Sequence, residues 1–119
     1  MRLTFSRAQR LARASEIELV KRTGKRVKTG VLDVRVAASP SSRAQVGVIV
    51  PKYKRTIVER NRVRRRLREL VRVRLLPVLD STAAERGPRA VLIRALPAAY
   101  SASFDGLARD VDAIVQRVG

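Results

Sequence analysis

The 119-residue chain has no cysteine, no histidine and no tryptophan, and only two tyrosines and two phenylalanines. Without cysteine there is no disulfide framework, no thiolate zinc site and no thiol nucleophile. Without histidine, the commonest general base and the commonest transition-metal ligand are both missing. Acidic residues are scarce, ten Asp+Glu against 27 Lys+Arg, for a formal charge of +17. Long apolar runs are lacking as well. Val46 to Val50 and Ala90 to Ile93 fall far short of the ~20 residues that a membrane span needs. A soluble, reducing setting such as the cytoplasm is expected, with no membrane partner and no small-molecule substrate.

What is present suffices for a fold. Hydrophobic residues make up 45% of the chain, too many for a disordered basic tail. A chain of this length buries roughly 60–70% of its unfolded surface, enough for one core. A single domain over residues 1–119 is therefore expected. The first 15 residues are Arg-rich and acid-free, which superficially matches a transit peptide. The basic character nevertheless continues far beyond them.

The charge is concentrated. Residues 1–74 hold 22 basic and five acidic side chains, whereas residues 75–119 hold five of each. Dense positive charge on a folded chain attracts polyanions, nucleic acid first among them.

Periodicity divides the chain into alternating elements. Ser15 and Glu18 match a Ser-x-x-Glu capping box for a short helix that ends at Gly24. Val31 to Ala37 alternates as a strand, Val46 to Val50 forms a second, and Lys25 to Lys28 a weaker one. Thr56 to Leu79 reads as a helix with Val63, Leu67, Leu70 and Val71 on one stripe. Residues 80–88 read as a polar linker, and Arg89 to Ala95 as another strand. A last helix follows, capped by Ser101 or Ser103, with Phe104 opening its apolar stripe. The order α-β-β-β-α-β-α implies a small α+β fold, helices packed on a mostly antiparallel sheet. Tyr100 and Phe104 are expected to pack in the core.

The long helix violates local rules. Arg62, Arg64, Arg65, Arg66, Arg68 and Arg72 cover most of the surface outside its apolar stripe. Like charges four residues apart, and arginines at the positive end of the helix dipole, together cost about 1–3 kcal/mol. Such a violation marks a functional surface more often than a solvated face. Arginine suits phosphate because its planar fork donates two hydrogen bonds at once.

At this helix the sequence resembles the protein subunit of bacterial ribonuclease P. The resemblance rests on Val46-Gly47-Val48-Ile49-Val50-Pro51-Lys52 followed by Val58-Glu59-Arg60-Asn61-Arg62-Val63-Arg64-Arg65-Arg66-Leu67-Arg68. It extends from Arg10-Leu11 to the last helix. It implies a four-stranded mixed sheet with a left-handed crossover, and a function in removing the 5′ leader of precursor tRNA. It also implies that the protein carries no catalytic residue and binds no metal or cofactor itself. The chemistry would belong to a catalytic RNA subunit with bound Mg2+. Arg60, Asn61, Arg62, Arg64, Arg65 and Arg68 would contact that RNA.

A cleft between the first helix and the sheet would hold the precursor leader, through Ile17, Lys21, Arg35, Lys52, Tyr53 and Lys54. Here the chain departs from the family. Ile17, Lys21 and Arg35 stand where Phe, Phe and Tyr are usual, Pro51 and Tyr53 replace Ser and Lys, and Arg55-Thr56 replaces Gly-Asn. A structural rRNA-binding protein of ribosomal type suits the charge and size equally. A DNA-binding factor lacks a clear helix-turn-helix, and a protein-only nuclease lacks a carboxylate cluster.

Overall fold

The computed structural model describes residues 6–118, so the first five residues of the Arg-rich N-terminal stretch lie outside it. A single 3-10 turn (Arg7–Gln9) leads to α1 (Ala14–Thr23), followed by β1 (Lys25–Lys28), β2 (Leu32–Ala38) and β3 (Gln45–Ile49). Then come α2 (Ile57–Leu70), a π-helical turn (Val71–Leu75), α3 (Leu76–Arg86), β4 (Arg89–Ala95), a 3-10 turn (Pro97–Tyr100) and α4 (Phe104–Val118). The sheet order is β1-β2-β4-β3. β1 with β2 and β2 with β4 are antiparallel, while β3 runs parallel to β4, making the sheet mixed. The chain crosses from β3 to β4 through α2 and α3.

Strand alternation sends side chains to two unequal faces. Leu32, Val34, Val46, Val91 and Ile93 join Leu67, Leu75, Leu79, Leu107 and Ile114 in the main core, under α2, α3 and α4. The opposite face carries a small cluster of Leu11, Val20, Ala90 and Leu92, with Ile17 and Ile49 against it. Among the described residues this second face is covered by α1 and the segment around Leu11, and it stays partly open.

Three expectations need correction. The capping box is not at Ser15. α1 begins at Ala14 behind Arg13, which makes no side-chain cap. Tertiary tethers set that start: the Leu11 N–H donates to the Val46 carbonyl at 3.0 Å. Gly47 lets the strand come that close, since a Cβ there would lie 2.7 Å from the Leu11 carbonyl oxygen. The box belongs to α2, where Glu59 N–H donates to Thr56 Oγ1 and Thr56 N–H donates to Glu59 Oε1.

Residues 80–88 are not a linker either, because α3 runs to Arg86 and stops at Gly87, φ 76°. Ala83, Ala84, Glu85 and Arg86 are all good helix formers. The preceding π turn is what makes this possible. Pro77 would clash with the carbonyl of Val73 in a regular helix. The wider turn relieves the clash and rotates Leu75, Leu76 and Leu79 back onto the core.

Phe104, finally, is 41% exposed. It sits in the first turn of α4, before the buried stripe that starts at Leu107. Tyr100 does pack against the core. Ser103 supplies the α4 cap, its Oγ accepting from Gly106 N–H at 3.0 Å.

Candidate nucleic-acid interface

The capping box fixes where α2 starts and therefore which arginines share a face. Residues spaced at three, four and seven along a helix lie on one side. Accordingly Asn61, Arg64, Arg65 and Arg68 line one open groove of about 460 Å³, together with Arg10, Glu69 and Arg72. Asn61 orients its neighbour, its Oδ1 accepting from Arg64 Nη1 at 3.1 Å.

The acidic residues of α2 offset only part of the charge on this face. Glu59 pairs with Arg55 at 3.1 Å, and Glu69 with Arg72. Among the described residues, none of Arg62, Arg64, Arg65, Arg66 and Arg68 forms a salt bridge. Burial pushes the Arg68 guanidinium below its ordinary pKa, and the positive charges of Arg10 and Arg64 push the same way.

Arg60 and Arg62 do not line the groove. Arg62 is exposed on the flank of the helix. Arg60 is half-buried at the border of the apolar stripe, and its Nε is buried with no partner among the described residues. Its charge is felt at Tyr100, whose phenol burial raises and Arg60 lowers.

Two smaller hollows open on the α1 face of the sheet. One, about 180 Å³, is lined by Lys21, Arg35, Ile49, Leu92, Arg94 and Asp33. Arg26 holds Asp33 through two hydrogen bonds, 3.0 and 3.3 Å, so the one carboxylate there is paired. Lys21 lies 3.6 Å from Glu18 on its own helix. The other hollow, about 220 Å³, is lined by Ile17 and Leu11 over β3, with Arg10 and Arg68 at its edge. Ile49 borders both hollows, and Arg10 and Arg68 border both the second hollow and the α2 groove. The three hollows thus share walls along one track.

Lys52, Tyr53 and Lys54 are not lining residues of these hollows. They form a tight turn closed by Arg55 N–H donating to the Lys52 carbonyl at 2.7 Å. Tyr53 (φ 44°) and Lys54 (φ 61°) both occupy the left-handed region, at a cost of about 1–3 kcal/mol each. Aromatic packing holds the turn. Tyr53 donates to the Ala95 carbonyl at 3.2 Å and meets Tyr100 edge-on at 6.3 Å. Tyr100 donates to the Pro51 carbonyl at 2.6 Å, and the Arg55 guanidinium lies 5.2 Å from the Tyr100 ring centre.

Sequence reasoning left Arg72, Glu69 and Arg94 out of the candidate set, and Arg10 entered only as an edge of the motif. Arg72 and Glu69 follow from the helical spacing alone. Arg10 reaches Arg68 because Leu11 is tied to Val46, and no local pattern signals that contact.

Comparison with known proteins identifies the family. The ribonuclease P family profile matches residues 5–119. The ribonuclease P protein component of Acidothermus cellulolyticus is 38% identical over 111 residues, covering 92% of this chain and 87% of the relative. A mutant RNase P protein of Staphylococcus aureus has a similar fold, with a TM-score of 0.74 at 16% identity over 92% of this chain and 87% of that one. The RNase P protein of Thermotoga maritima gives 0.70 at 15% identity, over 100% and 98%. At those identities the structures speak for the fold alone. The profile and the close relative carry the assignment: the chain belongs to the ribonuclease P protein family, the protein part of a tRNA-processing endoribonuclease whose other part is RNA.

Proposed function

We propose that the chain works in the cytoplasm and holds two RNAs along one cationic track, the catalytic RNA on α2 and the precursor leader on the α1 face. The observation that carries this is the sharing of Arg10 and Arg68 between the α2 groove and the adjoining hollow. Asn61, Arg64, Arg65 and Arg68 would clamp backbone phosphates of the RNA subunit, with Arg60 and Arg62 flanking them. Neutralising phosphate charge lets that RNA fold and bind substrate at lower Mg2+. The catalytic metal belongs to the RNA in this scheme, and the protein contributes positioning and electrostatics.

The leader would lie over Ile17, Ile49 and Leu92, with Lys21, Arg35 and Arg94 on its phosphates. Single-stranded nucleic acid is ordinarily held by aromatic stacking worth ~1–3 kcal/mol per base. Here guanidinium planes take that place, Arg35 above all. Lys52 and Lys54 extend the positive charge beyond Ile49, and the strained turn holds them in place.

The decisive experiment cleaves a labelled precursor tRNA with the RNA subunit at low Mg2+, with and without the protein. Stimulation by the protein is expected. Alanine at Arg64, Arg65 and Arg68 should weaken assembly with the RNA subunit. Alanine at Lys21 and Arg35 should weaken precursor binding while sparing assembly. Equal effects of both sets on assembly would overturn this division of the surface.

A further inference from the structure

A second cationic pocket lies at the edge of the main core, on the side of the sheet away from the α1 hollows. It has a volume of about 390 Å³ and is lined by Lys25, Arg86, Arg89 and Arg117 around an apolar floor that includes Val27 and Val36. Strand alternation separates it from the leader face: Val36 packs toward the main core, whereas its neighbour Arg35 lines the opposite hollow. We infer that this pocket is a second anion site of the protein, built to take a phosphate group.

Three observations support the assignment. First, the four cations come from four separate elements, β1, the end of α3, the start of β4 and the end of α4. Helix dipoles favour Arg86 and Arg117 at helix C-termini. They offer nothing to Lys25 and Arg89, which stand on strands.

Second, among the described residues no carboxylate lines the pocket and none of the four cations forms a salt bridge. Arg86, Arg89 and Arg117 belong to the part of the chain in which acids and bases are equal in number, so acids were available to pair with these three.

Third, Arg89 is only partly satisfied. It donates through Nη2 to Thr82 Oγ1, while its Nε is buried with no partner among the described residues. A buried donor left unmade is destabilising and calls for a partner. Burial, with Arg86 adding repulsion, pushes the Arg89 guanidinium below its ordinary pKa. An anion in the pocket removes both penalties at once.

The test is a two-dimensional NMR titration of the full chain, following backbone amides and arginine Nε–H resonances. The probes are inorganic phosphate in one arm and pentauridylate in the other. The Arg89 Nε–H and the Lys25 and Arg89 amides should shift saturably. A Lys25→Ala/Arg117→Ala variant should weaken that response about tenfold or more, while the Asn61 amide, reporting the α2 groove, titrates as before. Unchanged α2 amides in the variant verify its fold. A response to pentauridylate assigns the phosphate to RNA backbone. A response to inorganic phosphate alone assigns it to a small phosphate compound. The inference is overturned if neither probe moves the pocket resonances while the Asn61 amide saturates, or if the variant responds like the parent.

Discussion

Helices α2 and α4 pack on the same core yet use charge in opposite ways. α4 carries three aspartates and two arginines, and its acids tie the fold together. Asp110 accepts the Thr29 hydroxyl at 2.8 Å and the Val31 N–H at 2.7 Å, and Asp112 pairs with Arg74 at 2.7 Å. α2 carries six arginines and two glutamates, and both glutamates are engaged at its ends. The acids of α4 therefore serve the chain itself, whereas the arginines of α2 await a partner. The contrast locates function better than net charge does, since it separates cations with internal partners from cations without them.

The sharpest way to break the comparison is to reverse charge on each helix and read both affinity and stability. Arg64→Glu/Arg68→Glu should lower affinity for the RNA subunit by roughly 10²–10⁴-fold, taking two charge-assisted contacts at about 1.5–3 kcal/mol each. The thermal midpoint should hold or rise, because like-charge repulsion on the helix falls. Filter binding and calorimetry measure the two. Asp110→Ala should do the reverse. Losing both hydrogen bonds costs about 3 kcal/mol and lowers Tm by on the order of 10 °C, while RNA affinity is preserved. An Asp110 variant that bound RNA poorly at full stability would dissolve the distinction.

The same contrast predicts a response to anions in the free protein. Uncompensated arginines on α2 cost about 1–3 kcal/mol, and sulfate should return part of that. Circular dichroism should show Tm rising with sulfate more than with chloride at equal ionic strength, and the Arg64→Glu/Arg68→Glu variant should respond less. Equal responses of parent and variant would place the anion effect elsewhere on the protein.

These helices also mark how far the sequence could be read. The strand read at 31–37 and the apolar stripe of α2 follow from period, because one buried face imposes alternation or a 3.6-residue repeat, while the strands at 46–50 and 89–95 follow from short β-rich runs ended by Pro51 and Pro97. The continuation of the helix through Pro77 to Arg86 did not, since the π turn that admits the proline answers to core packing around Leu75, Leu76 and Leu79. The start of α1 was hidden for a similar reason, being set by the Leu11–Val46 tether across 35 residues of chain.

For the site, the family resemblance named Arg60, Asn61, Arg62, Arg64, Arg65 and Arg68 together, and of these Asn61, Arg64, Arg65 and Arg68 line the groove. The resemblance could not show that Arg60 sits at the core border, nor that Arg10 completes the groove. Local pattern gives the face of a helix, but the neighbour across that face is a tertiary fact.

Glu59 supplies the smallest and most specific test, because it is an acid of α2 used for folding. Its carboxylate is held below its ordinary pKa, first by the Thr56 N–H and then by Arg55. A lowered folded value means that the folded chain favours the ionised form. The stabilisation is therefore complete above the unfolded value near 4.5 and is lost as pH falls through the lower folded value. Glu59→Gln keeps the size and removes the charge, so the stability difference between parent and variant should shrink steadily on acidification below about pH 5. Urea melts at a series of pH values read this directly. A difference that stays constant with pH would assign the effect to the shape of the side chain instead of its charge. RNA affinity at neutral pH should stay level or rise slightly in the variant, since an acid beside the arginine face is lost.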